Sequence, residues 1–375
     1  MDIRSFTFDN DLTREFVAFC TRLYADEPGW IPPSRTAFAA QFAPEFPFYQ
    51  KADNGHRHFV ACRGRDVIGH VSAFLNNDMR DSDGRQIGCL GFFEVIEDYN
   101  VAAELLKNAT DWLRKHDDIT KIWGPVNFDI WHGYRFMRKG FELEPFLGEP
   151  FNKAYYPEFL ERFGFAACKT WCSMEARSRN DLELIIAKSE PRYQQCLDSG
   201  YRIERIDAHN PSAMRLLYTL ITGSYKGFLG ITDIDFANFD RIFGSYLRVI
   251  DTRFVSLVYD PDNQPSGFAI AYPDPSSAVR AMNGRDNAYA KLQFALRRKQ
   301  TKRVVFHTVG ITPEEIEKHS GLGSALSYHG IRSALDAGFD RVLLALIGED
   351  SLVRKIIGDS INEAEREYAL YEMIL

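Results

Sequence analysis

The sequence has no surplus of positive charge. Its 45 Lys and Arg stand against 52 Asp and Glu, for a net charge of −7 over 375 residues. Binding a phosphate backbone needs a basic field, so nucleic acid is not expected as a partner, while amine-bearing substrates stay open. Long apolar runs are also missing: no stretch approaches the ~20 apolar residues of a spanning helix. The opening residues MDIRSFTFDNDLTREF lack the apolar core of a signal peptide. These two absences predict a cytoplasmic protein with no membrane partner. Cysteine is sparse and confined to Cys20, Cys62, Cys89, Cys168, Cys172 and Cys196, with none in the second half. That is too few for a disulfide scaffold in so long a chain. Cys168 and Cys172 have no second Cys or His pair at zinc spacing, so no metal is expected.

What is present points to two domains, because 375 residues exceed what one hydrophobic core usually serves. Strand-like and helix-like periodicities alternate, and their order recurs. FVACRGRDVIGHVSAF in the first half matches FVSLVYDPDNQPSGFAIAY in the second, with Phe59 and Gly69 corresponding to Phe254 and Gly267 at near-equal offsets. Both stretches read as hairpins. The pattern predicts two copies of one α/β fold: residues 1–177, a helical or irregular connector over 178–199, and residues 200–375. The loop Gly124–Pro150 is long and aromatic, which suits a lid or substrate wall. Trp131, His132, Tyr134 and Arg135 are its candidate contacts, with packing between the two copies as the bland alternative for Trp131. A lone His132 is more often structural than basic.

The segment KRVVFHTVGITPEEIEKHSGLGSALSYHGIRSALDAG, residues 302–338, carries the chemistry. A β-branched strand ends at Val309-Gly310. A polar loop follows, then Lys318-His319-Ser320-Gly321-Leu322-Gly323-Ser324 opens a helix. Glycines allow close backbone approach, and the first turn of a helix offers unpaired N–H donors with a partial positive charge. Together they favour a phosphate or pyrophosphate. A Walker loop is excluded because no Gly-Lys-Ser/Thr occurs in this stretch. A Rossmann fingerprint fits poorly without a third glycine at the right spacing.

The same stretch resembles the pyrophosphate arm of the GNAT acyltransferases, Gln/Arg-x-x-Gly-x-Gly/Ala, with Lys318 in first place. The closing REYALYEMIL is similar to that family's terminal strand, and YYPEFLERFGF at Tyr155–Phe165 to its late helix–turn–strand. The resemblance touches both halves and is strongest over Phe254–Leu375. It implies an α/β (α+β) fold of two tandem GNAT-like domains, each a mixed, mostly antiparallel sheet flanked by helices. It implies acetyl-CoA or another acyl-CoA, with Val309, Gly310 and Ile311 lining the pantetheine and Lys318–Ser324 holding the pyrophosphate. The implied reaction is attack of a small-molecule or peptide amine on the thioester. Glu349 and Asp350 are the candidate bases, with a solvated turn as their plain alternative. The family's general-acid Tyr is missing, since Ile356 and Ile357 stand in its place. The first half lacks the glycine turn, and Glu94, Glu97 and Asp98 there would repel a pyrophosphate, so that copy is expected to be cofactor-free. A non-catalytic acyl-CoA-binding or regulatory protein is the competing reading. An aminoacyl-tRNA-dependent transferase is disfavoured by the acidic charge. A homo-oligomer stays open.

Overall fold

A computed structural model describes residues 1–375 except 207–209, 227, 248–250, 350 and 352–364. The first half runs β1 (Asp2–Phe6), α1 (Asn10–Leu23), α2 (Arg35–Ala40), α3 (Pro47–Gln50), β2 (Gly55–Arg63), β3 (Asp66–Arg80), β4 (Gln86–Val95), α4 (Tyr99–Leu113), β5 (Lys121–Gly124), β6 (Phe136–Lys139), α5 (Tyr156–Phe163) and β7 (Ala166–Ala176). Helix α6 (Arg179–Asp198) follows, so the connector is helical. Its start is fixed by a capping box, in which the Ser178 side chain accepts from the Asp181 amide and the Asp181 side chain from the Ser178 amide. The second half runs β8 (Arg202–Arg205), α7 (Pro211–Ser224), α8 (Phe236–Leu247), β9 (Val255–Tyr259), β10 (Pro265–Pro273), α9 (Ser276–Met282), α10 (Ala288–Arg297), β11 (Arg303–Ile311), α11 (Pro313–Glu317), α12 (Leu322–Asp336), β12 (Arg341–Gly348) and β13 (Arg366–Ile374). The stretch between Ile311 and Lys318, read from sequence as a loop, therefore holds a short helix. Pro313 at its first position presets the helical φ.

The strands form one continuous sheet in the order β1-β2-β3-β4-β5-β13-β7-β12-β11-β10-β9-β8, with β6 also on β13. Its pairs are antiparallel apart from β4 with β5 and β11 with β12. The halves exchange strands. The last strand of the chain, β13, pairs with β5 of the first half, and β7 pairs with β12 of the second. The sheet is thus continuous across the two halves of the chain.

Both faces of the sheet are covered. In the first half Leu105, Leu106 and Leu113 of α4 pack on one face, while Phe16, Phe42, Phe46 and Phe48 crowd Phe74 and Phe128 on the other. In the second half α6 and α12 contribute Ile185, Ile331 and Ala334 to one face, and α7 and α8 bring Leu217 and Phe239 to the other. Each fully buried Leu or Phe contributes about 2 kcal/mol of apolar transfer. A buried ionic cluster ties the aromatic segment 124–150 to the second half. Arg303 pairs with Asp274 and donates to the carbonyls of Glu144 and Pro145. Glu175 takes Arg341 at 2.6 Å, and Arg366 takes Glu149 at 3.0 Å. Among the described residues no helix is long and apolar enough to cross a membrane.

Candidate functional site

The two parallel strand pairs are where the halves diverge. Strands β11 and β12 pair only over Arg303–Phe306 and Arg341–Leu344, then part. Strand β11 continues along β10 to Ile311, and β12 continues along β7 to Gly348 after an irregular step between Leu344 and Ile347. Leu346 makes that step with a φ of 56°, its amide donating to Ser173 Oγ at 3.0 Å. The β12-facing edge of Thr308–Ile311 is left without a ladder partner. Val309 is 36% exposed in mid-sheet, so the gap reaches the surface.

The glycine turn stands at the end of this gap. Helix α12 begins at Leu322 with Gly321 as its cap, at a φ of 80° that favours glycine. The amides of Ser324 and Ala325 bond the Gly321 carbonyl, whereas no described acceptor takes those of Leu322 and Gly323. These two donors head the helix dipole. Lys318 and His319 are exposed and Ser320, Gly321 and Gly323 half-buried, so the turn lies at the surface. Lys318 is pinned by Glu315 at 2.7 Å, and that buried carboxylate also accepts from Tyr201 at 2.7 Å. The Ser320 hydroxyl is engaged with the Glu315 carbonyl and Ser324 is buried, so neither hydroxyl is a free donor at the rim. Arg192 of α6 lays its stem against Gly321, bringing to the turn a cation that the sequence reading did not name.

Segment 124–135 of the first half borders the gap. Trp131 donates to the Thr232 carbonyl at 3.0 Å and packs near Tyr225 and Phe243, so it is an inter-half packing residue. His132 is held by Asp129 at 2.7 Å among Phe46 and Phe128. Tyr134 meets Trp171 edge-on at 5.4 Å. Arg135 lies 4.1 Å over the Tyr134 ring and 4.4 Å over Trp171. His307 of β11 is pushed down to about 4 by burial and then by Arg135, so its imidazole is neutral at physiological pH. Its Nδ1 sits 2.9 Å from Thr308 Oγ1. Glu349, at the end of β12, accepts from the Thr170 hydroxyl and lies 3.6 Å from Lys169. Asp350 and the Ile356–Ile357 pair lie outside the described residues.

The first half has the same parting with the opposite outcome. Strands β4 and β5 pair over Ile87–Cys89 and Lys121–Trp123 and then separate. The chain fills the space itself: the Val126 amide donates to Leu90 at 2.7 Å, and Asn127 Oδ1 accepts from the Phe92 amide at 2.7 Å.

Comparison with known proteins places this architecture. Residues 19–136 match the Acetyltransferase (GNAT) family. A tandem GNAT protein from the clavulanic acid biosynthesis pathway superposes with a TM-score of 0.52 at 11% identity, covering 100% of this chain and 98% of that one. The chain thus has the tandem GNAT fold, with a GNAT-family sequence match over residues 19–136. The glucosamine N-acetyltransferase region of a fungal multi-domain GH3 β-N-acetylglucosaminidase gives 0.54 at 14% identity, over 99% of this chain and 38% of that one. Among curated proteins, the bacterial ceramide synthase of Caulobacter vibrioides is 23% identical across 96% of this chain and 94% of its own length. Protein YghO of Escherichia coli is 25% identical across 75% of this chain and 70% of its own.

The family match falls on the half whose strand gap is closed, not on Phe254–Leu375. That half holds its own acid site, which the sequence reading treated only as repulsive charge. Glu94 of β4 accepts from the phenols of Tyr24 and Tyr156, both at 2.8 Å, through Oε2. It lines a cavity of about 100 Å³ with Trp30, Pro32, Pro33 and Phe38. Burial raises its carboxyl to about 7, against the opposing pull of the two phenols. Five strand steps separate β4 from β11. At about 4.8 Å per step they stand about 24 Å apart, too far to share one reacting centre.

Proposed function

We propose that this protein is an acyl-CoA-dependent N-acyltransferase acting on an amine of a small molecule or peptide. In this reading residues 1–177 form a degenerate copy, 178–199 a connector and 200–375 the acyl-CoA-binding unit. The observation that carries it is the open gap between β11 and β12 ending on the two unpaired amides of Leu322 and Gly323. Backbone at Val309, Gly310 and Ile311 would line the pantetheine. The turn Lys318–Ser324 would hold the pyrophosphate through those amides, with Lys318 and Arg192 adding charge. The named Caulobacter relative supports amide formation, since a ceramide is an N-acyl amide.

The chain's own residues supply the remaining parts. The attacking amine must be neutral and must lose a proton, and Glu349 and its neighbour Asp350 are the carboxylates proposed to receive it. Segment 124–135 walls the gap, and Trp131, His132 and Tyr134 form the proposed substrate side. Tyr225 brings a phenol near Thr308 of β11 and is proposed to stand in for the family's missing Tyr.

Calorimetry with acetyl-CoA tests the reading. Gly323→Glu is the informative variant, because a Cβ there meets only Ile311 Cδ1, at an ordinary 3.6 Å. The added carboxylate should abolish acetyl-CoA binding while leaving the melting temperature close to wild type. Binding unchanged in this variant, or no binding of any acyl-CoA by the wild type, would remove the proposal. A thiol-release assay over an amine panel then separates an enzyme from a binding protein.

A further inference from the structure

Among the described residues Arg135 has no counter-ion. Its backbone is held at a φ of 81°, in the region that favours glycine, and its amide donates to the Pro125 carbonyl at 3.2 Å. The guanidinium is flanked by Tyr134 and Trp171, and its Nη1 is shut away from solvent with no hydrogen-bond partner. No side-chain hydrogen bond or ion pair joins Arg135 to any described residue. The residue as a whole is half-buried.

The described surroundings supply no unpaired negative charge. The groups that face Arg135 are the phenols of Tyr134, Tyr225 and Tyr368 and the imidazole of His307. The described carboxylates on the neighbouring elements have donors of their own. Glu149 is taken by Tyr368 at 2.6 Å and Arg366 at 3.0 Å, Asp129 by His132, and Glu349 by Thr170. Arginine has five donors and no acceptor, stays charged, and is costly to desolvate unpaired. A planar fork, held between two rings and lacking any anion, is complementary to a carboxylate or phosphate.

We propose that Arg135 is an anion-recognition point that binds a carboxylate or phosphate group of the acceptor molecule. The anion chemistry follows from the geometry alone; its assignment to the acceptor rests on the acyltransferase reading. Tyr225 and Thr308 would then line the path between the anion and the parted strands.

The test omits coenzyme A, so its failure is separable from failure of the Gly323→Glu experiment. Calorimetry on the full chain compares N-acetylglycine, N-acetyl-O-phosphoethanolamine and the neutral N-acetylglycinamide. The wild type should prefer one of the anionic probes over the neutral amide by about tenfold or more. Which anion wins distinguishes a carboxylate from a phosphate acceptor. Arg135→Gln should erase the preference, and Arg135→Lys should retain part of it. The proposal is overturned if the wild type binds the neutral amide as tightly. It is equally overturned if neither anion binds up to about 50 mM, or if a folded Arg135→Gln keeps the preference.

Discussion

The two halves answer the same structural question differently. Each carries a parallel strand pair that separates after a few residues, which leaves unpaired backbone inside a sheet. Buried backbone groups must find partners. In the first half they find them locally, in Val126 and in the side chain of Asn127. In the second half the edge from Thr308 to Ile311 stays open and borders an aromatic wall, an unpaired guanidinium and a glycine-capped helix. The difference teaches that one sheet can hold two parted strand pairs while only one of the partings stays open. The half nearer the family's sequence is here the closed one.

The comparison presumes two copies, yet the copies are interlocked, and the largest expected effect tests this. Residues 1–199 expressed alone lack β13, which supplies the neighbour of both β5 and β7. Their exposed strand edges should prevent a cooperative fold. The expected result is no cooperative urea transition for 1–199, and recovery of one when 200–375 is co-expressed. A native-like transition from 1–199 alone would make the halves independent units.

The next effect separates the filled gap from the open one. Gly91 in β4 leaves no space for a Cβ, which would collide with the Val126 carbonyl and Asn127 Oδ1. Backbone cannot yield as a flexible side chain can, so Gly91→Val should destabilise by about 3 kcal/mol. Counted from the last paired residue, Thr308 holds the equivalent place in β11, and it is half-buried. Thr308→Val should cost about 1 kcal/mol, the worth of its hydrogen bond. Urea midpoints for the pair read the contrast directly, and equal costs would mean that the second gap is also filled.

Much of this was legible in the chain itself. The hairpins, the α4 helix capped by Asp98, the β11–turn–α12 unit and the helical connector all follow from local signals: period, caps and glycine. The strand exchange was not legible, because register between distant strands is set by tertiary packing and leaves no short-range mark. The four-residue β6 was too short to register a period. Segment 131–135 stood out by its aromatics, but only the fold shows that it enters the other half. Lys318 stands out in the sequence as a phosphate cation, but its ion pair with Glu315, three residues earlier on a short helix within the polar loop, leaves no such mark. Glu94 reads in the sequence only as a charge that would repel a pyrophosphate, because sequence cannot show that Tyr24 and Tyr156, 70 and 62 residues away, converge on it.

Glu94 also provides the smallest effect, and its sign can be worked out. Burial raises the folded carboxyl to about 7, while an unfolded glutamate titrates near ~4.3. The folded state therefore holds the proton more tightly. Its contribution to stability is complete below the unfolded value and is lost as pH rises through about 7. Glu149, also raised to about 7 by burial, acts in the same direction. Glu94→Gln removes one of these two titrations and leaves a neutral side chain able to accept from both phenols. The stability difference between pH 5 and pH 8 should therefore shrink by on the order of 2 kcal/mol in this variant. Urea unfolding at the two pH values measures it. An unchanged difference would mean that Glu94 is ionised in the folded protein, and the first half would then carry a permanent anion facing its cavity.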